Sequence, residues 1–269
     1  MFLWIILLLV PLGPMGTDIF TPSMPAMTQA LHADKSLVQW SISIYFLSYS
    51  FGQIFFGTIA DFLGRKGPLY IGLAIFIVGS LLAVLSRSIE MVLVARFIQG
   101  FGAASPSVLT KTMLGDTFRG SALAKATSLV TLVWGISPIL APALGGYLQH
   151  YFNWTASFVV ICMYGLIAFL MSFYLPETLR IKQNLKIKVL IGHYRTILRS
   201  RFFLLQTLTV GCVYSVMQAF NVSAPFIIQH DWGYSPIVYG HMALIIGIAL
   251  LLGALTNRCL LYTSPSPRD

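Results

Sequence analysis

Charge is scarce in this chain. Only 9% of its 269 residues are charged, 8 acids against 17 lysines and arginines. Soluble domains carry about 25%, so a solvated globular domain is excluded. Three cysteines, Cys162, Cys212 and Cys259, show no paired spacing, which excludes a disulfide framework. Five scattered histidines offer no metal-ligand cluster, and no nucleophile–base–orienter set is present. Neither an enzyme nor a metal or cofactor is expected. Period-2 alternation is also lacking, which excludes a membrane barrel. What abounds is the long apolar run: 57% of residues are hydrophobic and the mean hydropathy is +0.81. Backbone groups in lipid must be satisfied internally, and continuous runs select helices. The expected class is an all-α polytopic membrane protein. The formal charge of +9 does not imply nucleic acid, because the basic residues lie in loops between apolar runs.

Eight segments are expected to span: 2–27, 37–60, 68–86, 91–114, 124–148, 154–175, 202–229 and 237–256. The apolar character of the first continues past Pro14 without a cleavage site, so it reads as a helix rather than a signal peptide. Alternate loops with their helix ends carry twelve basic residues, from Arg65 and Lys66 through Lys111, Arg119 and Lys125 to seven between 180 and 201. The other loops carry Lys35 and Arg87. The basic side is therefore expected to be cytoplasmic, with the N-terminus inside. Residues 1–175 form one six-helix unit, 176–201 a basic linker and 202–256 two further helices. Within the linker, Leu185, Val189, Leu190, Tyr194, Ile197 and Leu198 recur at near-helical spacing. An interfacial helix on anionic lipid and a solvated loop are both open readings. Residues 257–269 end in a polar, proline-rich tail unlike the rest, expected to be non-native, or else disordered.

Two ionisable residues fall inside spanning segments, Asp18 and Arg96. Such groups are functional by default. Asp18 lies about ten residues before the outer end of its segment, roughly 15 Å deep, and Arg96 about six residues in, roughly 9 Å deep. Both are expected to face a shared cavity, with Asp18 exchanging protons; a fixed ion pair or a polar helix contact is the other reading. Segment one carries Pro11, Pro14, Pro22 and Pro25, and broken helices mark transporter sites. Segment five, with Pro138, Pro142, Gly145 and Gly146, is expected to kink and to offer a small packing face. Aromatic and methionine side chains line a cavity or face lipid. Tyr45, Tyr49, Trp134, Met217 and Phe220, with Gln99, are the expected substrate contacts.

Several motifs carry a resemblance. Gly57, Asp61, Gly64, Arg65 and Lys66 form G-x-x-x-D-x-x-G-R-K, which resembles the loop between helices 2 and 3 of the major facilitator superfamily. Residues 17–25, Thr-Asp-Ile-Phe-Thr-Pro-Ser-Met-Pro, are similar to a first-helix motif of its twelve-helix drug–proton antiporters, in the bicyclomycin and chloramphenicol resistance branch. Residues 96–104 resemble the fourth-helix motif R-x-x-Q-G-x-G-A-A, and Ser223–Phe226 a seventh-helix pattern of the same branch. Ala141–Gly146 is similar to the fifth-helix antiporter motif, with Ala141 in place of its first glycine. The resemblance implies alternating access between two six-helix bundles in a bacterial inner membrane. It implies proton coupling through Arg96, and a cytoplasmic latch of Asp61, Arg65 and Asp116 that favours the outward-facing state. Only eight of twelve helices are present, so the chain reads as a C-terminally truncated fragment.

The expected function is proton-coupled efflux of small, moderately apolar drugs by a monomer. A proton-coupled importer of the same fold and a non-transporting scaffold or sensor are the alternatives.

Overall fold

The computed structural model describes residues 1–179 and 187–263. All regular structure among them is helical. The first span, α1 (Phe2–Ala30), is broken. It comprises helices Phe2–Leu9 and Leu12–Asp18, one 3-10 turn at Thr21–Ser23, and helix Met24–Ala30. Pro22 and Pro25 open the two later pieces, where a missing N–H is harmless. Carbonyls near the breaks are met by hydroxyls: Thr17 Oγ1 donates to Pro14 O at 2.7 Å, and Thr21 Oγ1 to Asp18 O at 2.8 Å. The break thus falls directly after Asp18.

Four long helices follow: α2 (Lys35–Leu63), α3 (Lys66–Val84), α4 (Ile89–Thr117) and α5 (Gly120–Tyr151). Ser88 caps α4 by accepting from the Met91 N–H, and Asn153 Oδ1 accepts from the Thr155 and Ala156 N–H groups before α6 (Ala156–Ser172). α5 carries Pro138 and Pro142, where a kink is expected, within one continuous helix. After α7 (Ile187–Arg199) comes α8 (Arg201–Phe226), extended by a π-helical turn at Ile227–Asp231. The last helix, α9 (Pro236–Thr263), runs past the expected end at Thr256. Among the described residues, seven spans are long and apolar enough to cross a membrane. The expected eighth, α6, has 17 residues, at the lower limit for a core about 30 Å thick. Arg180, Lys182 and Lys186 of the linker, and tail residues 264–269, lie outside the described residues.

Small residues set the packing. A Cβ on Gly52 of α2 would lie 2.6 Å from the Ala104 Cβ, and one on Gly72 of α3 2.6 Å from the Ser105 Oγ. The α4 stretch Gly100–Ser105 is therefore gripped from both sides, as small faces allow in membrane helices. Gly145 presses on the Ile19 carbonyl of α1, and Gly146 on the Pro236 carbonyl at the start of α9. Farther along α5, Gly240 of α9 meets the Pro142 carbonyl. The buried residues of α8 are Ala224, Pro225 and Phe226, all in its last turn. The second unit therefore meets the first through α9 along α5 and through the last part of α8.

Gly145→Val drives side-chain atoms into a backbone carbonyl that cannot retreat. Overpacking of this kind removes roughly 1–3 kcal/mol. The expected result is a melting temperature lower by about 5 °C in detergent, read by tryptophan fluorescence. Gly135→Val is the control, because nothing lies within 4 Å of its Cβ position, and should leave the melting temperature unchanged.

Candidate functional site

Arg96 is fully buried in α4. Its Nη1 donates to the Gly16 carbonyl at 2.6 Å and to Gln99 Oε1, and its Nε donates to the Ser41 carbonyl at 3.5 Å. Nη2 makes no hydrogen bond. The guanidinium lies between the rings of Phe20 and Tyr45, with Cζ 4.3 and 4.2 Å from their centroids. Such cation–π contacts are worth about 2 kcal/mol each when desolvated. They explain how a cation stays in an apolar interior with no ion pair among the described residues.

Asp18 is 5% exposed and ends the second piece of α1. Its Oδ1 accepts a long 3.4 Å hydrogen bond from Asn221 Nδ2 of α8, which also donates to Gln218 Oε1 at 2.9 Å. Among the described residues Asp18 forms no ion pair with Arg96. Neither Asp18 nor Arg96 lines the large cavity described below. Further bonds join the units at this level. Gln39 Nε2 donates to the Val222 carbonyl at 3.2 Å, Gln229 Nε2 to the Pro22 carbonyl at 2.9 Å, and Tyr239 OH to Thr21 Oγ1 at 3.2 Å.

A cavity of about 800 Å³ lies between α2, α4, α5 and α8. Of the expected substrate contacts, Tyr49 and Trp134 line it. Tyr45 and Gln99 do not: Tyr45 OH donates to the Gly13 carbonyl at 3.0 Å, and Gln99 Nε2 donates to Ser80 Oγ at 2.8 Å. Both are fully used in holding α1 and Arg96. Phe220 lines a second, apolar cavity of about 430 Å³ formed by α8, the π turn and α9. Met217, 42% exposed, lines neither. Polar wall residues that the sequence reading passed over are Gln53, Ser107, Lys111 and Gln218. Lys111, one of the helix-end charges that point to the cytoplasmic side, sits on α4 and lines the wall. An amide pair three apart in an apolar run, Gln218 and Asn221, was the available signal for the α8 contribution.

The glycine turn between α2 and α3 folds into a charge cluster. Gly64 has φ +101°, a left-handed conformation that favours glycine, and a Cβ there would lie 2.6 Å from Glu177 Oε2. Arg65 Nη1 meets Asp61 Oδ1 at 2.7 Å and its Nε meets Asp116 Oδ2 at 2.9 Å. A Cβ at Gly57 would rest 3.4 Å from Val108, an ordinary α2–α4 contact. Lys66 is outside the acid cluster: its Nζ reaches the Phe173 carbonyl at 3.5 Å and lies over the Tyr70 ring. Glu177 and Thr178 complete the cluster and were not anticipated. Glu177 accepts from the Arg65 and Lys66 N–H groups at 2.9 and 3.2 Å, which caps α3, while Thr178 Oγ1 donates to Asp116 Oδ2 at 3.0 Å. Burial pushes the Glu177 carboxyl up, but the N–H groups of Arg65, Leu179, Lys66 and Thr178 outweigh it and hold it below 4.5.

A depressed carboxyl contributes stability that is present above its unfolded value and lost as pH falls through the folded one. Glu177→Gln should therefore melt lower than the wild type at pH 7. The gap should close as pH drops below 4.5. A gap that is constant with pH in thermal melts would contradict this role.

These features place the chain among known proteins. It matches the Major Facilitator Superfamily over residues 6–266. It is 32% identical over 252 residues to an uncharacterized MFS-type transporter, YdgK, of Bacillus subtilis (strain 168), covering 92% of this chain and 63% of that one. It is 37% identical over 171 residues to a bicyclomycin resistance protein homolog of Haemophilus influenzae, covering 62% of this chain and 42% of that one. A solved bacterial homolog of the human lysosomal transporter Spinster, inward-facing and unoccupied, superposes with TM-score 0.76 at 16% identity, over 98% of this chain and 63% of that one. The chain thus spans less than two thirds of the length of these proteins. A kinked first helix beside a small-residue fourth, the glycine-turned charge cluster and the match over nearly all residues lead to one assignment: the chain belongs to the Major Facilitator Superfamily.

Proposed function

We propose that this chain is part of a proton-coupled efflux antiporter of the bacterial inner membrane, exporting small, moderately apolar drugs by alternating access. The observation that carries the reading is Asp18: a buried carboxyl, without an ion pair among the described residues, at the break of α1 and bonded to Asn221 of the second unit. A group bonded across two units changes surroundings whenever they move apart. That is what coupling a proton to alternation requires. The multidrug and bicyclomycin-resistance names of relatives support export. The basic end, bearing Arg65 and Lys66, is placed in the cytoplasm by its charge, with the N-terminus on the same side. The cavity walled by Tyr49 and Trp134 then holds the drug, and Asp18 the proton. Protons are the only coupling ion required, and the α7 segment, rich in basic residues, rests against anionic lipid.

Asp18→Asn keeps the shape and the Asn221 contact but cannot exchange a proton. Drug accumulation in cells producing the protein, measured with and without a proton gradient, should show gradient-dependent export by the wild type and none by the variant. Equal membrane content of the two proteins excludes a folding defect. Undiminished export by Asp18→Asn would end the reading.

A further inference from the structure

Lys111 is the only charged residue lining the large cavity, among the described residues. It forms no ion pair there. Two other basic groups of the motifs are committed elsewhere. Arg65 is held by two acids, and Arg96 is sealed between rings on the other side of Tyr45. Around Lys111 the wall offers the hydroxyls of Tyr49 and Ser107, bonded to each other, the Trp134 indole, and the Gln53 and Gln218 amides. No carboxylate lines the cavity to attract a cation. Lys111 is exposed, so its ammonium is accessible to a ligand. A positive charge lining a cleft raises the local concentration of anions, and an ammonium meeting a carboxylate makes one of the stronger hydrogen bonds.

We infer that the cavity selects amphipathic organic anions, aromatic carboxylates in particular, with Lys111 as the group that recognises the carboxylate and Trp134 stacking on the ring. This rests on the cavity being the drug site, as proposed above. It narrows the substrate class from moderately apolar molecules to those bearing one acidic group. It also gives each half of the coupling its own charge: Asp18 serves the proton, and Lys111 the cargo.

The test uses the full chain in lipid nanodiscs and three nitroaromatic quenchers of one shape: 4-nitrobenzoate, 4-nitrobenzamide and 4-nitrobenzylammonium. Quenching of tryptophan fluorescence reads binding, and Trp134→Phe identifies the share that comes from the cavity. The wild type should bind the benzoate most tightly. Lys111→Gln should weaken the benzoate about ten-fold, the scale of one charge-assisted hydrogen bond, and leave the benzamide unchanged. Lys111→Arg should retain the preference for the anion. Benzoate affinity that is unaltered in Lys111→Gln, or tighter binding of the ammonium probe by the wild type, overturns the anion assignment while leaving the cavity as the drug site. If none of the three probes quenches Trp134, the cavity is not the drug site, and the assignment falls with it.

Discussion

A guanidinium held in an apolar interior without an ion pair is the constraint on which this molecule is built. Removing a cation from water costs several kcal/mol even after relaxation, so Arg96 persists only because its surroundings are arranged for it. Phe20 and Tyr45 cover its two faces, and the Gly16 carbonyl and Gln99 take its protons. Two of these partners, Gly16 and Phe20, flank Asp18 on α1. The arginine therefore fixes the break in α1 and, with it, the position of the carboxyl. The small residues of α4 follow from the same need, since α2 can bring Tyr45 and Ser41 to the guanidinium only if the two backbones approach closely at Gly100.

The two ends of the molecule divide their work. At the level of Asp18 the units are joined by Asn221, Gln229 and Tyr239. Toward the basic end they separate around the large cavity, and α8 is exposed over most of its length. The Asp61–Arg65–Asp116 cluster is complete in this arrangement, and every described partner of Arg65 precedes residue 179. The cluster is tied through Glu177 and Thr178 to the point where the linker begins.

Much of the fold was legible because hydrocarbon leaves few choices. Continuous apolar runs gave most of the spans to within a few residues, the last one running seven residues past its expected end. The pairing of Asp61, Arg65 and Asp116 came from the family resemblance, which implied it; the turn's own residues do not name Asp116, which sits 51 residues away at the end of α4. The site was less legible. Tyr45 and Gln99 were read as substrate contacts because aromatic and amide groups in a membrane helix suggest a cavity; which face they occupy depends on helix rotation, and here both turn toward Arg96. Lys111 fell inside the expected span 91–114 but was counted with the helix-end charges, because hydropathy does not show which face of a helix end borders a cavity. Asn221 and Glu177 lie 203 and 112 residues from the partners they bond, Asp18 and Arg65, and no local pattern announces such a pairing.

The central claim is that Asp18 is a carboxyl whose proton leaves when cargo arrives. Infrared difference spectroscopy of the protein in lipid tests it directly, through the carbonyl stretch of a protonated carboxylic acid. The account predicts a band that is present without ligand, disappears on binding and is missing from Asp18→Asn throughout. A band that survives in Asp18→Asn, or one that ligand leaves untouched, would contradict it.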